Sequence, residues 1–321
     1  MKLLYLSRAD VEAVGLSVSE TITALEEMFR EKGAGRVEMP PKPGVHPLPD
    51  AFIHAMPAHI PALGATGLKW ISGFPGNQAR GLPYITGLLV LNDPETGVPI
   101  AVMDATWLTA VRTGAATAVA ARRLARPESS TVGILACGVQ GRSNLEALAC
   151  CFDLERVQAF DLDRAVAEAF ADDMRGSLDV EVRVVGSARE AVEGLDLVVT
   201  SGPILKDPAP VIGPGWLAPG AFASAVDFDS YFQGAALREA DRLVTDDHAQ
   251  MEHYRAAGYF RDTPIADADL GELVCGTRPG RVRADERIIC IPLGLALEDM
   301  ATAIRIYRRA LESELGTWLP L

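Results

Sequence analysis

Cysteine is scarce in this chain and poorly spaced for structural work. The five thiols, Cys137, Cys150, Cys151, Cys275 and Cys290, make an odd number and include no C-x-x-C pair. Such a set indicates neither a disulfide framework nor a zinc ribbon, and it suits a reducing cytoplasm. Positive charge is also short: 30 lysines and arginines face 43 aspartates and glutamates, for a formal net charge of -13. This argues against a nucleic-acid-binding surface, whose affinity comes mainly from neutralised phosphates. No uncharged run approaches the length of a membrane span. The opening MKLLYLSRAD has an apolar run too short for the core of a secretion signal. The expectation is a soluble, cytoplasmic protein with no nucleic-acid or membrane partner. The chain also lacks a G-K-[ST] phosphate loop and any recognisable Ser-His-Asp arrangement. His248 and His253 are five apart on a predicted helix and do not share a face, and no metal-ligand spacing occurs elsewhere, so no metal is expected.

What remains is ordinary globular material. At 321 residues, with a hydrophobic fraction of 49%, the chain has enough apolar content for two domains. The stretch Thr131 to Asp161 organises it. An apolar β-type run, Val132-Gly133-Ile134-Leu135, leads through Ala136-Cys137-Gly138-Val139-Gln140-Gly141 into Leu145, Leu148 and Ala149 at helical spacing. A second short strand, Val157 to Phe160, ends at Asp161. About twenty residues beyond the turn is where the dinucleotide fingerprint places an acid for the ribose 2′-hydroxyl. Small residues let the backbone approach a pyrophosphate, and the helix start favours its charge. Ala136 departs from the pattern, because it occupies the first glycine position of G-x-G-x-x-G. A plain strand-turn-helix is the competing reading of the turn taken alone.

Before this stretch the pattern is mostly β. A strand at Leu3 to Leu6 is followed by a helix that Ser17 and Glu20 can cap as a box, with Ile22, Leu25 and Phe29 on one face. The prolines between Met39 and Pro61 exclude helix and predict an extended loop leading to a strand at Ala51 to Ala55. Strands follow around Gly67 to Gly73, at Ile85 to Leu91 and at Pro99 to Met103, the last two joined by Asp93-Pro94-Glu95-Thr96-Gly97. Thr106 to Leu124 reads as an alanine-rich helix. Gly114 in its interior costs about 1 kcal/mol against alanine, which implies close packing or close ligand approach.

After Asp161, strands alternate with helices, which implies a parallel, doubly wound sheet. The predicted elements are helix Arg164 to Met174, strand Val182 to Val185, helix Ala188 to Gly194, and strands at Asp196 to Thr200, Ala221 to Val226, Arg242 to Thr245 and Ile288 to Ile291. A last amphipathic helix, Leu295 to Glu314, has Leu297, Met300, Ala301, Ile304 and Tyr307 inward and can close a discontinuous domain with the N-terminal sheet.

Several polar residues stand out against this background. Lys69, beside Trp70 in a strand, is either an amine whose pKa is altered by apolar neighbours or a lysine snorkelling from an edge. Arg112 lies on an otherwise apolar helix face and needs a partner, either an anionic ligand or an internal carboxylate. Asp227 and Asp229 follow a strand directly, where an acid can exchange protons with a substrate or can cap the turn. His54 and His59 flank the proline-rich loop, which is either a rigid surface loop or the lip of a site.

Taken in order, Gly67-Leu68-Lys69-Trp70 with SGFPGN, then GLP, LNDPETG, LTAVRTGAATAVAARRLARP, GVQG and GLALEDMA resemble the ornithine cyclodeaminase/mu-crystallin family over nearly the whole chain. The resemblance implies an α/β architecture: a Rossmann-type, doubly wound parallel sheet domain at 113–299, and a smaller α+β substrate-binding and dimerisation domain formed by 1–112 and 300–321. It implies a homodimer that moves hydride between a nicotinamide and the α-carbon of a small amino, imino or keto acid. The corresponding activity is that of an NAD-dependent imine reductase or amino-acid dehydrogenase. The alternatives are an ornithine-type cyclodeaminase that recycles its NAD internally and, in another class, a non-catalytic NAD(P)H-binding protein.

By the same resemblance Lys69 and Arg112 hold the substrate carboxylate, and Lys69 with Asp227 carries the chemistry. Thr113, Gly138, Val139, Gln140, Asp161, Asp227 and Gly294 contact the cofactor. Lys42 stands where cyclodeaminases place a carboxylate-binding arginine, and His54 where they place an acid, so both count as substrate-binding positions that depart from an ornithine-specific pattern. Asp161 favours NAD over NADP by repelling a 2′-phosphate, while nearby Arg164 leaves NADP open.

Overall fold

A computed structural model describes residues 1–321. It divides into two compact units, Met1–Arg112 with Gly294–Leu321, and Thr113–Leu293. The C-terminal segment of the first unit therefore begins at Gly294 rather than at residue 300.

The first unit opens with β1 (Lys2–Leu6), α1 (Arg8–Ala13) and α2 (Val18–Gly33). Both helices start in capping boxes, Ser7 with Asp10 and Ser17 with Glu20, which satisfy amide donors the helix itself cannot. Then come β2 (Gly44–Val45), β3 (Phe52–Ile60), β4 (Ala65–Gly73), β5 (Ile85–Asn92) and β6 (Pro99–Asp104), and α3 (Thr106–Leu124) begins. The strand β3 is longer than its prolines suggested, and the hydrogen bonding shows why. The amides of Ala55 and His59 donate to Pro43 and Glu38, on the side away from β4. Pro57 falls between them at the same parity, so its missing N–H removes no bond to β4.

The second unit continues with β7 (Thr131–Leu135), α4 (Val139–Ala149), β8 (Arg156–Phe160), α5 (Arg164–Ser177), β9 (Glu181–Val184), β10 (Leu197–Thr200) and β11 (Phe222–Ala225). It ends with α6 (Gly234–Glu239), β12 (Arg242–Thr245), α7 (His248–Ala256), β13 (Ala268–Asp269), α8 (Leu270–Cys275) and β14 (Ile288–Ile291). Its eight strands run β13-β12-β14-β11-β10-β7-β8-β9, and every pairing is parallel. The order reverses at β7, between β8 and β10, which is the switch point where open α/β sheets bind ligands. The expected helix at 188–194 is instead a run of hydrogen-bonded turns ending at Gly194, too short to propagate.

The chain then returns to the first unit with α9 (Ala296–Glu312) and β15 (Thr317–Pro320). β15 adds an antiparallel strand to β1, completing a seven-stranded sheet in the order β15-β1-β6-β5-β4-β3-β2. α9 packs against β3 and β4 on one side and α2 on the other. Every residue from Ala296 to Ile304 is consequently buried, two acids included. Tyr307, expected inward, is only half-buried, and Ile306 and Ala310 fill the core instead.

The glycine in α3 reflects close packing of helices. A Cβ on Gly114 would lie 2.2 Å from the Ser143 carbonyl oxygen of α4. Gly114→Ala should therefore lower stability by about 1–3 kcal/mol through overpacking, despite its better helix propensity. Thermal and urea unfolding measure this, and a variant as stable as wild type would refute it.

Candidate functional site

Two polar assemblies stand out, one in each unit. In the first unit β4 alternates so that Lys69 and Ile71 point to the buried face while Trp70 points outward. Lys69 pairs in register with Met56, and His54 pairs with Ile71, so His54 shares the face of Lys69. Lys69 is fully buried, which excludes snorkelling. Its Nζ donates to Asp299 Oδ1 at 2.7 Å and to Thr109 Oγ1 at 3.3 Å. Arg112, one turn beyond Thr109 on α3, donates from Nε to the same Asp299 oxygen at 3.0 Å and from Nη1 to Glu298 Oε2 at 2.8 Å. The internal carboxylate reading of Arg112 is thus realised, with two partners. Lys42 is nearly buried and donates from Nζ to the Gly294 carbonyl at 2.8 Å.

Gly294 belongs to this assembly. Its φ is +74°, and a Cβ would lie 2.7 Å from Arg112 Nη1, so the position requires glycine on two counts.

Burial pushes the Lys69 ammonium down to about 7, with Asp299 opposing the shift and Arg112 and Lys42 adding to it. Burial likewise raises the Glu298 carboxyl, against the pull of Arg112. Glu298 Oε1 and Asp299 Oδ2 are buried without a hydrogen-bond partner.

His54 stacks on Phe52 with ring centroids 4.3 Å apart. His59 lies on the opposite sheet face, where Nδ1 and Thr66 Oγ1 are 2.6 Å apart, so the two histidines are not brought together. Glu298, Asp299 and Thr109 were not singled out from the sequence. The available signal was a pair of acids in the first turn of the last helix, inside its mostly apolar opening run from Ala296 to Ile304.

In the second unit the β7–α4 turn has the form a dinucleotide needs. Ala136, at the first glycine position, adopts φ +68°, the left-handed conformation a glycine would supply. Gly138 is the N-cap of α4 and contributes no side-chain cap, and the space where its Cβ would project is open. The amides at the helix start thus face an open approach, suited to a pyrophosphate. Val139 is exposed, and Gln140 is held through Oε1 by Ser143 Oγ at 3.3 Å.

Asp161 leaves the end of β8 and accepts from the amides of Cys137 at 2.8 Å and Asp163 at 3.0 Å, which fixes it beside the turn. Arg142 braces the other side, donating to the Cys137 carbonyl at 2.5 Å while paired with Asp173 at 2.7 Å. Arg164 is exposed and paired with Glu168 at 2.8 Å. Thr113 is buried on α3 as the first residue of this unit.

Asp227 follows β11 and is fully buried. Oδ1 accepts from Thr200 Oγ1 at 2.7 Å, and Oδ2 from the Gly202 amide at 2.8 Å. These bonds tie it to the end of β10. Burial pushes its carboxyl up to about 7, against these two hydrogen bonds and a third from its own backbone amide, with Asp229 adding a little. The next residue, Phe228, has φ +65°, a costly conformation for a bulky side chain, and is held among Tyr254, Tyr259 and Phe260. Asp229 is occupied elsewhere, accepting from Thr263 Oγ1 at 2.7 Å.

Comparison with known proteins adds four likenesses. Residues 1–314 match the model of the ornithine cyclodeaminase/mu-crystallin family. Alanine dehydrogenase of Archaeoglobus fulgidus is 35% identical over 329 aligned positions, covering 99% of this chain and 98% of that one. The structure of Thermococcus litoralis Δ1-pyrroline-2-carboxylate reductase with NADH and L-proline is 32% identical with a TM-score of 0.89, covering 98% and 99% of the two chains. An archaeal alanine dehydrogenase dimer with bound NAD is 34% identical with a TM-score of 0.88, and both chains are covered completely.

The raised carboxyl of Asp227 has a consequence for stability. An unfolded aspartate loses its proton near pH 4, while the folded protein keeps this one up to about pH 7. Between those values the folded state binds more protons than the unfolded, so stability from this group declines as pH rises. Asp227→Asn removes the titration. Its stability relative to wild type should improve across that window by up to about 1.4 kcal/mol per pH unit, on top of a constant offset from mismatched donors. Urea unfolding at pH 4.5 and 7.5 reads the difference, and parallel curves would contradict it.

Proposed function

The chain belongs to the ornithine cyclodeaminase/mu-crystallin family, and from that premise we propose that it is an NAD-dependent oxidoreductase acting at the C–N bond of a small α-amino or α-imino acid. The observation that carries this reading is the buried charge set in the first unit. Lys42, Lys69 and Arg112 are all buried, Lys69 and Arg112 share Asp299, and Arg112 also pairs with Glu298. Holding cations away from water is costly unless anions face them. A substrate α-carboxylate offsets it and favours the protonated form of Lys69.

NAD fits the second unit through the bare start of α4 and the Asp161 carboxylate. Gly138, Val139 and Gln140 would lie against the pyrophosphate, and Asp161 would bind the ribose 2′-hydroxyl while disfavouring a 2′-phosphate. Bound there, NAD supplies hydride acceptance or donation at its nicotinamide. The protein's own tasks are to hold the substrate carboxylate, exclude water and exchange a proton. Asp227, titrating near neutrality, is suited to pass that proton to or from the substrate nitrogen or an attacking water. Thr113 and Gly294 complete the candidate cofactor contacts, and Lys42 and His54 shape the substrate side.

A homodimer in the cytoplasm completes the proposal. No helix is long and apolar enough to cross a membrane, and all five cysteines are free thiols. The outer face of the first sheet exposes Trp70, Leu88, Tyr5 and Leu319, an apolar row that a second copy would cover. Trp70→Asp combined with Leu88→Asp should give a monomer by light scattering, whereas an unchanged mass would move the interface elsewhere.

The functional test is an NADH-oxidation screen of pyruvate, glyoxylate, oxaloacetate and cyclic imines with ammonia or methylamine. Release of ammonia and a cyclic imino acid with no net change in NADH would identify a cyclodeaminase, and NADH binding without any turnover would identify a non-catalytic protein. With the productive substrate, Asp227→Ala should lower kcat by about 10²–10⁴, and Lys69→Ala should mainly raise KM. Folded variants that both keep wild-type hydride transfer would eliminate these assignments.

A further inference from the structure

The carboxylate-binding reading leaves one buried group without a task. Asp299 is fully buried, one of its oxygens has no hydrogen-bond partner, and the other holds two cations at once. Such a carboxylate is a poor device for stability, because apolar residues of similar volume often stabilise a core better. Its position makes sense through what it does to its neighbours. We propose that Asp299 is a positioning residue whose Oδ1 clamps Lys69 Nζ and Arg112 Nε side by side as one carboxylate-binding edge.

The geometry behind this is local. Lys69 comes from β4 and Arg112 from α3, and neither element brings the two cations together unaided, since like charges repel across so short a gap. One oxygen 2.7 Å from the amine and 3.0 Å from the guanidinium holds them no farther apart than those two bonds laid end to end. Glu298, the preceding residue on α9, takes Nη1 at 2.8 Å, so two bonds fix the guanidinium plane.

Other charged and titratable groups bear on Lys69. Arg112 on α3 and Lys42 ahead of β3 both disfavour its protonation, and Asp299 on α9 favours it. Glu298 on α9 and His54 on the same sheet face complete the surroundings. Removing Asp299 thus takes away the anion that keeps the amine charged.

The inference rests on Lys69 and Arg112 receiving a substrate carboxylate, and its test separates the two claims. In Asp299→Asn, an ε-¹³C-lysine NMR titration should show the Lys69 midpoint, identified by its absence in Lys69→Met, moving below the wild-type value of about 7. KM for the carboxylate substrate should rise by about tenfold or more, as expected for losing a charge-assisted hydrogen bond. The change in kcat should be smaller, and the dissociation constant for NADH unchanged. The pH above which substrate binding weakens should shift downward with the lysine.

Asp299→Glu retains the charge but displaces the oxygen. It should keep the Lys69 midpoint near wild type while KM stays raised, and it carries the test if Asp299→Asn does not fold. An unmoved midpoint with wild-type KM in Asp299→Asn, or a wild-type KM in Asp299→Glu, overturns the proposal. Absence of turnover by the wild type with every carboxylate substrate would instead defeat the functional reading, and the lysine titration would still decide the role of Asp299.

Discussion

The buried ion network of Lys69, Arg112, Glu298 and Asp299 is the constraint on which the first unit depends. Its members come from β4, α3 and the first turn of α9, so they meet only when the C-terminal segment has closed over the sheet. Removing one partner of a buried pair strands a charge and typically costs about 3–5 kcal/mol. The network therefore couples the return of α9 to the integrity of the sheet. Residues 1–112 alone would lack both carboxylates that face Lys69 and Arg112.

A common physical logic runs through both units. Lys69 is a base pushed down to about 7 and Asp227 an acid pushed up to about 7, in each case chiefly by burial. Each is then steadied by fixed partners, Asp299 for the amine and the Thr200 hydroxyl and Gly202 amide for the acid. Desolvation thus moves groups of opposite type towards the pH at which proton exchange is easy in both directions. Strain is stored in the second unit, where Ala136 at the β7–α4 turn and Phe228 beside Asp227 both adopt left-handed conformations, held by their surroundings.

Much of the architecture was legible because it repeats locally. The bounds of α3, β12 and β14 follow from apolar spacing and terminating residues. The capping box at Ser17 follows from side-chain reach alone. The misses have specific causes. The strand expected at Ala51 to Ala55 runs on to Ile60, because Pro57 sits where no ladder bond to β4 is lost. The turns at 188–194 carried a helical pattern too short to stand alone. Asp269 and Glu272 cap α8 as a box, a D-x-x-E signal that passed unremarked in a short segment. β15, exposed throughout, has no apolar periodicity and exists because β1 offers it an edge.

By itself the sequence determined the alternation of strands and helices, the position of the β7–α4 turn, the acid that follows it, and which polar residues stand out as candidates for binding a carboxylate or moving a proton. These depend on neighbours along the chain, or on motifs whose order survives without knowledge of distances. Only the tertiary structure decided which face each strand buries, that Lys69 has no access to solvent, and that Arg112 is paired twice from within. It alone brought Asp299 into contact with residues 187 and 230 positions away in the chain. The protonation of such groups depends on burial and on partners remote in sequence. No local pattern carries that information.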